Sequence, residues 1–97
     1  LRASFLTNFT MKETYFISYD LMNDKDYKTL SNELEKLGAE RVLLSLWCLK
    51  KSNTSAEKLR DHIGGFIDND DKIVVIKSAT TYGWASRGEL LFNPNSL

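Results

Sequence analysis

Asp20 is the residue of this chain whose neighbours best equip it for chemistry. It closes the stretch Tyr15-Phe16-Ile17-Ser18-Tyr19-Asp20-Leu21. At the strand period of two, Tyr15, Ile17, Tyr19 and Leu21 fall on one face, and Phe16, Ser18 and Asp20 on the other. The first face is wholly apolar. The second runs from an aromatic ring to an acid, the pattern of a half-buried surface that opens at the strand's C-terminal end, where a polar group can reach a ligand or a symmetry mate. Two carboxylates brought together by a two-fold axis repel one another and either raise a pKa or recruit a cation. Magnesium with its retained waters could then activate water against a phosphodiester. The competing reading is a polar strand terminus, since acids at strand ends are common turn formers. One carboxylate per chain is a sparse ligand set. Asp24 and Asp26 lie close in sequence, but Asn23-Asp24-Lys25-Asp26 reads first as the turn that caps the next helix.

A second group of candidates is cationic. Arg41, Lys50 and Lys51, with Lys72 and Lys77, sit at strand ends and can supply a rim for phosphates; the alternative is that they serve solubility and guard strand edges. Trp47 and Trp84 read as core or interface residues before base-stacking platforms. The exposed Lys/Arg-Gly-aromatic strand motif of the RNA-recognition module is absent. His62 is the only histidine, which leaves little material for a histidine nuclease or a zinc site. Cys48 is the only cysteine; it excludes an intrachain disulfide, and its apolar neighbours mark a buried, inert thiol. Asp68-Asn69-Asp70-Asp71 lacks the glycine and bidentate glutamate of a calcium loop and reads as a solvated turn.

Composition narrows the class. The chain has 97 residues, enough for one domain with its own core and no need of disulfides or metals. It is 42% hydrophobic and 27% charged, as soluble domains are, and no apolar run approaches the ~20 residues that span a bilayer. A cytoplasmic protein is expected. With 13 basic and 13 acidic residues the chain as a whole does not attract nucleic acid, so any such binding falls to a local patch.

Three segments follow from these patterns. Residues 1–10 carry one charge and no clear period, directly before Met11. They read as an N-terminal extension or as residues of upstream or vector origin, and they lack the apolar core and cleavage site of a secretory signal. Residues 11–78 form the domain. After the first strand, Tyr27, Leu30, Leu34 and Leu37 recur at helical spacing and Gly38 stands where a left-handed cap would be. Arg41–Lys50 (RVLLSLWCLK) is apolar on both alternating faces and is either one long strand or two broken near Ser45. Thr54 and Glu57 make a capping box for a second helix with Ala56, Leu59, Ile63, Phe66 and Ile67 inward. Gly64-Gly65 should fray or bend that helix or let it pack closely. Lys72–Lys77 (KIVVIK) is a short buried strand. Residues 79–97 are too apolar for a simple tail. They predict a strand at about Thr80–Ala85 and an arm through Glu89–Phe92 that covers some surface, a partner subunit being the natural candidate.

The element order, strand, helix, one or two strands, helix, strand, predicts an α+β, ferredoxin-like βαββαβ fold, an antiparallel sheet with two helices on one face. The other face stays open. Phe16 and the alternating apolar residues of 42–49 argue that a second sheet covers it, most simply in a sheet-to-sheet homodimer with Phe16, Ser18 and Trp84 at the interface.

Tyr19-Asp20 closing the first strand, Arg41-Val42 followed by Ser45-Leu46-Trp47, the capped helix and the short last strand together resemble the small CRISPR-associated Cas2 family, over roughly Lys12–Ala85. The Ser-Tyr-Asp-Leu strand end, the Ser-x-Trp strand and the Asp-x-Asp turn are similar to its stand-alone SinR-type relatives. Virulence-associated protein D, another relative, resembles an endoribonuclease on the same frame. The resemblance implies a homodimer in which Asp20 meets its mate across the interface and shares a divalent metal, Mg2+ being the expected ion. It also implies two roles: metal-dependent cleavage of RNA or DNA, or a structural part in a complex handling short DNA. The neutral charge departs from the basic surface of a duplex-DNA bridge. Two functions therefore stand. One is a metal-dependent endonuclease, RNA before DNA, of a prokaryotic or phage defence or toxin context. The other is a non-catalytic dimeric module that scaffolds a protein or nucleic-acid partner.

Overall fold

The computed structural model describes residues 12–22, 27–79 and 83–97. The N-terminal extension expected at residues 1–10, the capping turn with Asp24 and Asp26, and the start of the strand expected from Thr80 lie outside them.

β1 (Glu13–Asp20) is a central strand because one of its faces is apolar throughout: Tyr15 and Ile17 are fully buried and Tyr19 nearly so, whereas Ser18 and Asp20 are exposed. The chain continues through α1 (Tyr27–Lys36), β2 (Glu40–Leu43), β3 (Leu46–Lys51), α2 (Ala56–Gly64) and β4 (Lys72–Lys77). The strands form one antiparallel sheet in the order β2-β3-β1-β4. This is the ferredoxin-like βαββαβ arrangement. Segment 41–50 is thus two strands, and Tyr19 N–H donates to Ser45 O (3.3 Å) in the turn between them.

Residues facing each other across a ladder share a face. The helix side carries Tyr15–Leu49, Ile17–Trp47–Val75 and Tyr19–Ile73, and Leu30, Leu34, Leu59 and Ile63 pack on them as the core. α1 ends as its sequence requires. Gly38 at φ +88 donates to Glu35 O, and Ala39 N–H donates to Leu34 O, which satisfies two orphan carbonyls in a Schellman cap. At α2 the expectation needs correction. Ser55, not Thr54, is the N-cap, its Oγ accepting from Lys58 N–H at 3.0 Å. The helix stops at Gly64, so the glycine pair ends it instead of bending it, and Phe66 lies beyond it, 39% exposed.

The open side carries the rows Phe16–Cys48–Ile76, Ser18–Leu46–Val74 and Asp20–Lys72. The C-terminal segment crosses part of it. Residues 83–85 are not a strand. Leu91 N–H donates to Val42 O (3.0 Å) on the free edge of β2, and Pro94, opening a 3-10 turn (Pro94–Ser96), is buried. The arm therefore makes its described contacts on its own sheet.

Candidate functional site

Asp20 is the last residue of β1, exposed, on the open side of the sheet. A depression of about 200 Å³ contains it together with Ser18, Lys72 and Val74. Among the described residues no cation lies within 4.0 Å of its carboxylate. Several bonds fix the strand end that presents it. Trp47 Nε1 donates to Tyr19 Oη at 3.0 Å inside the core. Two residues past Asp20, Met22 N–H donates to Asp71 Oδ1 at 2.8 Å.

That last contact explains the acidic turn. Carboxylate oxygens of Asp68, Asp70 and Asp71 lie within 4.8 Å of one another, yet both oxygens of Asp71 already accept backbone amides, from Met22 and from Asp68 at 2.7 Å. Asp71 ties the exit of β1 to the entry of β4, a structural duty.

The cations do not gather around Asp20. Lys50 and Lys51 face Thr14 and Glu13 at the start of β1, about 20 Å along the strand from Asp20 at the usual rise per residue. Lys50 Nζ lies 3.5 Å from Leu97 O. Lys77 is engaged by Glu13 at 2.9 Å, and that bond, then the charge of Glu13, raises its pKa. Arg41 lies on the helix side of β2, with Nη2 donating to Ser31 Oγ at 2.7 Å and the guanidinium 4.7 Å from the Trp47 ring centre. By strand alternation Lys50 is on the opposite face. Lys72 alone shares the face and the depression with Asp20.

Phe16 and Trp84 line one groove of about 450 Å³ on the open side with Leu46, Ile76 and Pro94. Trp84 Nε1 donates to Asn95 Oδ1 at 3.3 Å, so the tryptophan is held within the C-terminal arm. Ser18 lies outside that groove, beside Asp20. Cys48, fully buried beneath, has its thiol pushed up to about 11 by burial and by the charge of Glu40, which keeps it protonated and inert.

Sequence reasoning missed the line Ser31–Arg41–Trp47–Tyr19. Its one signal was the break at Ser45, because only a two-strand reading sets Arg41 opposite Trp47.

An α+β sandwich with two helices on one side, an open sheet face on the other and an exposed carboxylate closing its central strand defines a small ferredoxin-like protein. Residues 13–83 match the family model described as CRISPR associated protein Cas2, and the chain belongs to that family. No solved structure matches it. Among the described residues no helix is long and apolar enough to cross a membrane.

Proposed function

We propose that this Cas2-family protein is a metal-dependent endonuclease, cutting RNA in preference to DNA, that works in the cytoplasm as a homodimer with the Asp20 residues of two copies meeting near a two-fold axis. The observation that carries this reading is the uncovered apolar surface next to Asp20. Val74 is 55% and Ile76 56% exposed, in the rows of Ser18 and Phe16. A second sheet laid on these rows would bury them and bring in the second carboxylate.

Among the described residues a single chain offers one carboxylate here, facing a lysine, which is half of a cation site; two copies offer two. Asp20 of each copy would hold Mg2+. The ion, when bound, supplies Lewis acidity toward a phosphoryl oxygen and lowers the pKa of a bound water. The remaining work belongs to the chain itself. Tyr19 and Asp71 hold the strand end, and the Lys72 ammonium, on the same face, sits where it can offset phosphate charge. A net charge of zero favours a single strand gripped locally over a duplex held along its length.

The sparse ligand set favours a second reading, a non-catalytic dimeric scaffold for a protein or nucleic-acid partner. One experiment separates the two: cleavage of labelled single-stranded RNA and of duplex DNA by wild type and Asp20→Asn, with magnesium, manganese or EDTA, and the mass of both proteins in solution. Metal-dependent cutting of RNA by wild type, lost in a variant that is still dimeric, establishes the nuclease. Absence of cutting, or equal cutting by both, sinks it in favour of the scaffold, and a monomeric wild type sinks the paired site.

A further inference from the structure

The guanidinium carbon of Arg41 lies over the Trp47 indole, 4.7 Å from the ring centre, with Nη2 bonded to Ser31 Oγ. Its Nε is buried and has no partner among the described residues. A donor left unpaired inside is costly, so packing alone does not account for an arginine at this position. The indole lies on one side of the guanidinium carbon, and the serine takes Nη2. Arg41 and Trp47 both line a cleft of about 690 Å³.

The walls of this cleft differ in chemistry. Lys28, Ser31, Asn32 and Glu35 form one polar stripe of α1 at helical spacing. Leu91 and Phe92 of the C-terminal arm add an apolar part to the lining, fixed by the bond from Leu91 N–H to Val42 O. Glu40 joins Glu35 in the lining, so the carboxylates balance the two cations and a bare phosphate is a poor fit. A purely apolar ligand would strip water from this polar stripe without replacing it. What fits is a flat heteroaromatic ring with donors and acceptors on its edge, stacked on a cationic plane and flanked by a phenyl ring. Unpaired bases are held in this way, on guanidinium planes and aromatic side chains, with their edges read by amide, hydroxyl and carboxylate groups.

We propose that the cleft between α1 and the C-terminal arm takes an unpaired base of single-stranded RNA, stacked on Arg41. The inference rests on the RNA-binding part of the function above, not on the chemistry of Asp20. The two are linked in the fold, because Trp47, under Arg41, also bonds Tyr19, the residue before Asp20.

The test is binding of a fluorescein-labelled, mixed-sequence RNA dodecamer in EDTA, read by fluorescence anisotropy. Arg41→Ala should weaken binding roughly 5- to 150-fold, the range for loss of one stacked base. Arg41→Lys should lose nearly as much, because an ammonium keeps the charge but has no plane. Wild type should bind an abasic dodecamer as weakly as Arg41→Ala binds the normal one. Full binding by Arg41→Lys, equal binding of the abasic strand, or no binding of RNA overturns the proposal. Should either Arg41 variant melt early, Asn32→Ala and Phe92→Ala probe the two walls. A several-fold loss in each is expected, and no change in both overturns the cleft. The cleavage assay keeps the readings apart: an active enzyme indifferent to Arg41 sinks the cleft alone, and a fully active Asp20→Asn sinks the paired carboxylates alone.

Discussion

Asp20 stands directly opposite Lys72 across the β1–β4 ladder, and the two share an exposed depression at the edge of the sheet. Opposite charges so placed support the pairing modestly, and like charges oppose it. Lys72→Glu is therefore expected to destabilise the fold by about 0.2–1 kcal/mol, and the exchange Asp20→Lys with Lys72→Glu to recover most of that loss. Urea denaturation of wild type, the single variants Asp20→Lys and Lys72→Glu, and the double variant closes the cycle. A Lys72→Glu protein as stable as wild type would show that the register does not bring the side chains together. Asp20→Asn, at an exposed site, should change stability by no more than about 0.5 kcal/mol, so that lost cleavage in that variant cannot be put down to unfolding.

Beneath Asp20 the strand end depends on a buried bond, Trp47 Nε1 to Tyr19 Oη at 3.0 Å, with Trp47 only 2% exposed. Tyr19→Phe keeps the ring and strands the indole N–H, which costs about 1–3 kcal/mol. The predicted outcome is a lower urea midpoint with an unchanged slope, and a shift in tryptophan fluorescence. A midpoint unmoved by the substitution would mean that the indole has another partner.

How much of this was legible depended on whether a feature is local. β1 could be read because its odd side chains are buried under helices and its even side chains emerge progressively toward Asp20. α1 could be read to its end because Gly38 at φ +88 is a local necessity. Residues 41–50 could not be divided from the pattern, because the turn between the two strands is itself apolar: Leu43 and Leu44 are 47% and 78% exposed, so leucines run on through the break. Alternation is blind where the exposed residues of a turn are as apolar as the strands they join. Asp20 was visible as a candidate, but Lys72 as its facing residue is a matter of register between strands some fifty positions apart in sequence. Arg41 was read as a strand-end cation; that it lies over Trp47 follows from the break at Ser45 and a bulge between Arg41 and Leu43.

The start of α2 offers a direct comparison of pattern with geometry. Thr54 and Ser55 are both capping types, and Glu57, three residues after Thr54, makes the earlier residue the better match to a capping box. In the fold Ser55 has the extended backbone of an N-cap (φ −147, ψ 166) and its Oγ bonds Lys58 N–H. Ser55→Ala should cost about 1 kcal/mol and Thr54→Ala distinctly less. The bond that Tyr15 Oη makes to Thr54 goes to its main-chain carbonyl, which the alanine retains. Equal losses, or a larger loss at Thr54, measured by thermal melting at matched pH, would return the cap to Thr54.

Stability should fall on the alkaline side, for a reason that one substitution can isolate. Burial, then the charge of Glu40, pushes the Cys48 thiol up to about 11. Burial, then Glu13, raises Tyr15; the bond to Glu13, then its charge, raises Lys77. In each case the native state holds its proton more tightly than the unfolded chain. As pH climbs past the ordinary thiol value, the unfolded chain releases a proton that native Cys48 keeps, so the free energy of unfolding decreases. For Cys48 this amounts to roughly 2–3 kcal/mol across the interval from its ordinary value to about 11, at ~1.4 kcal/mol per unit. Below that interval both states are protonated, and the full contribution is present. Urea midpoints of wild type and Cys48→Ala, followed from about pH 8 to about pH 11, should converge as pH rises, because the variant lacks this part of the slope. The thiol should also resist iodoacetamide near neutral pH until the protein is unfolded. Parallel curves for the two proteins, or rapid alkylation of the native one, would show that Cys48 is not sealed between the sheet and the arm.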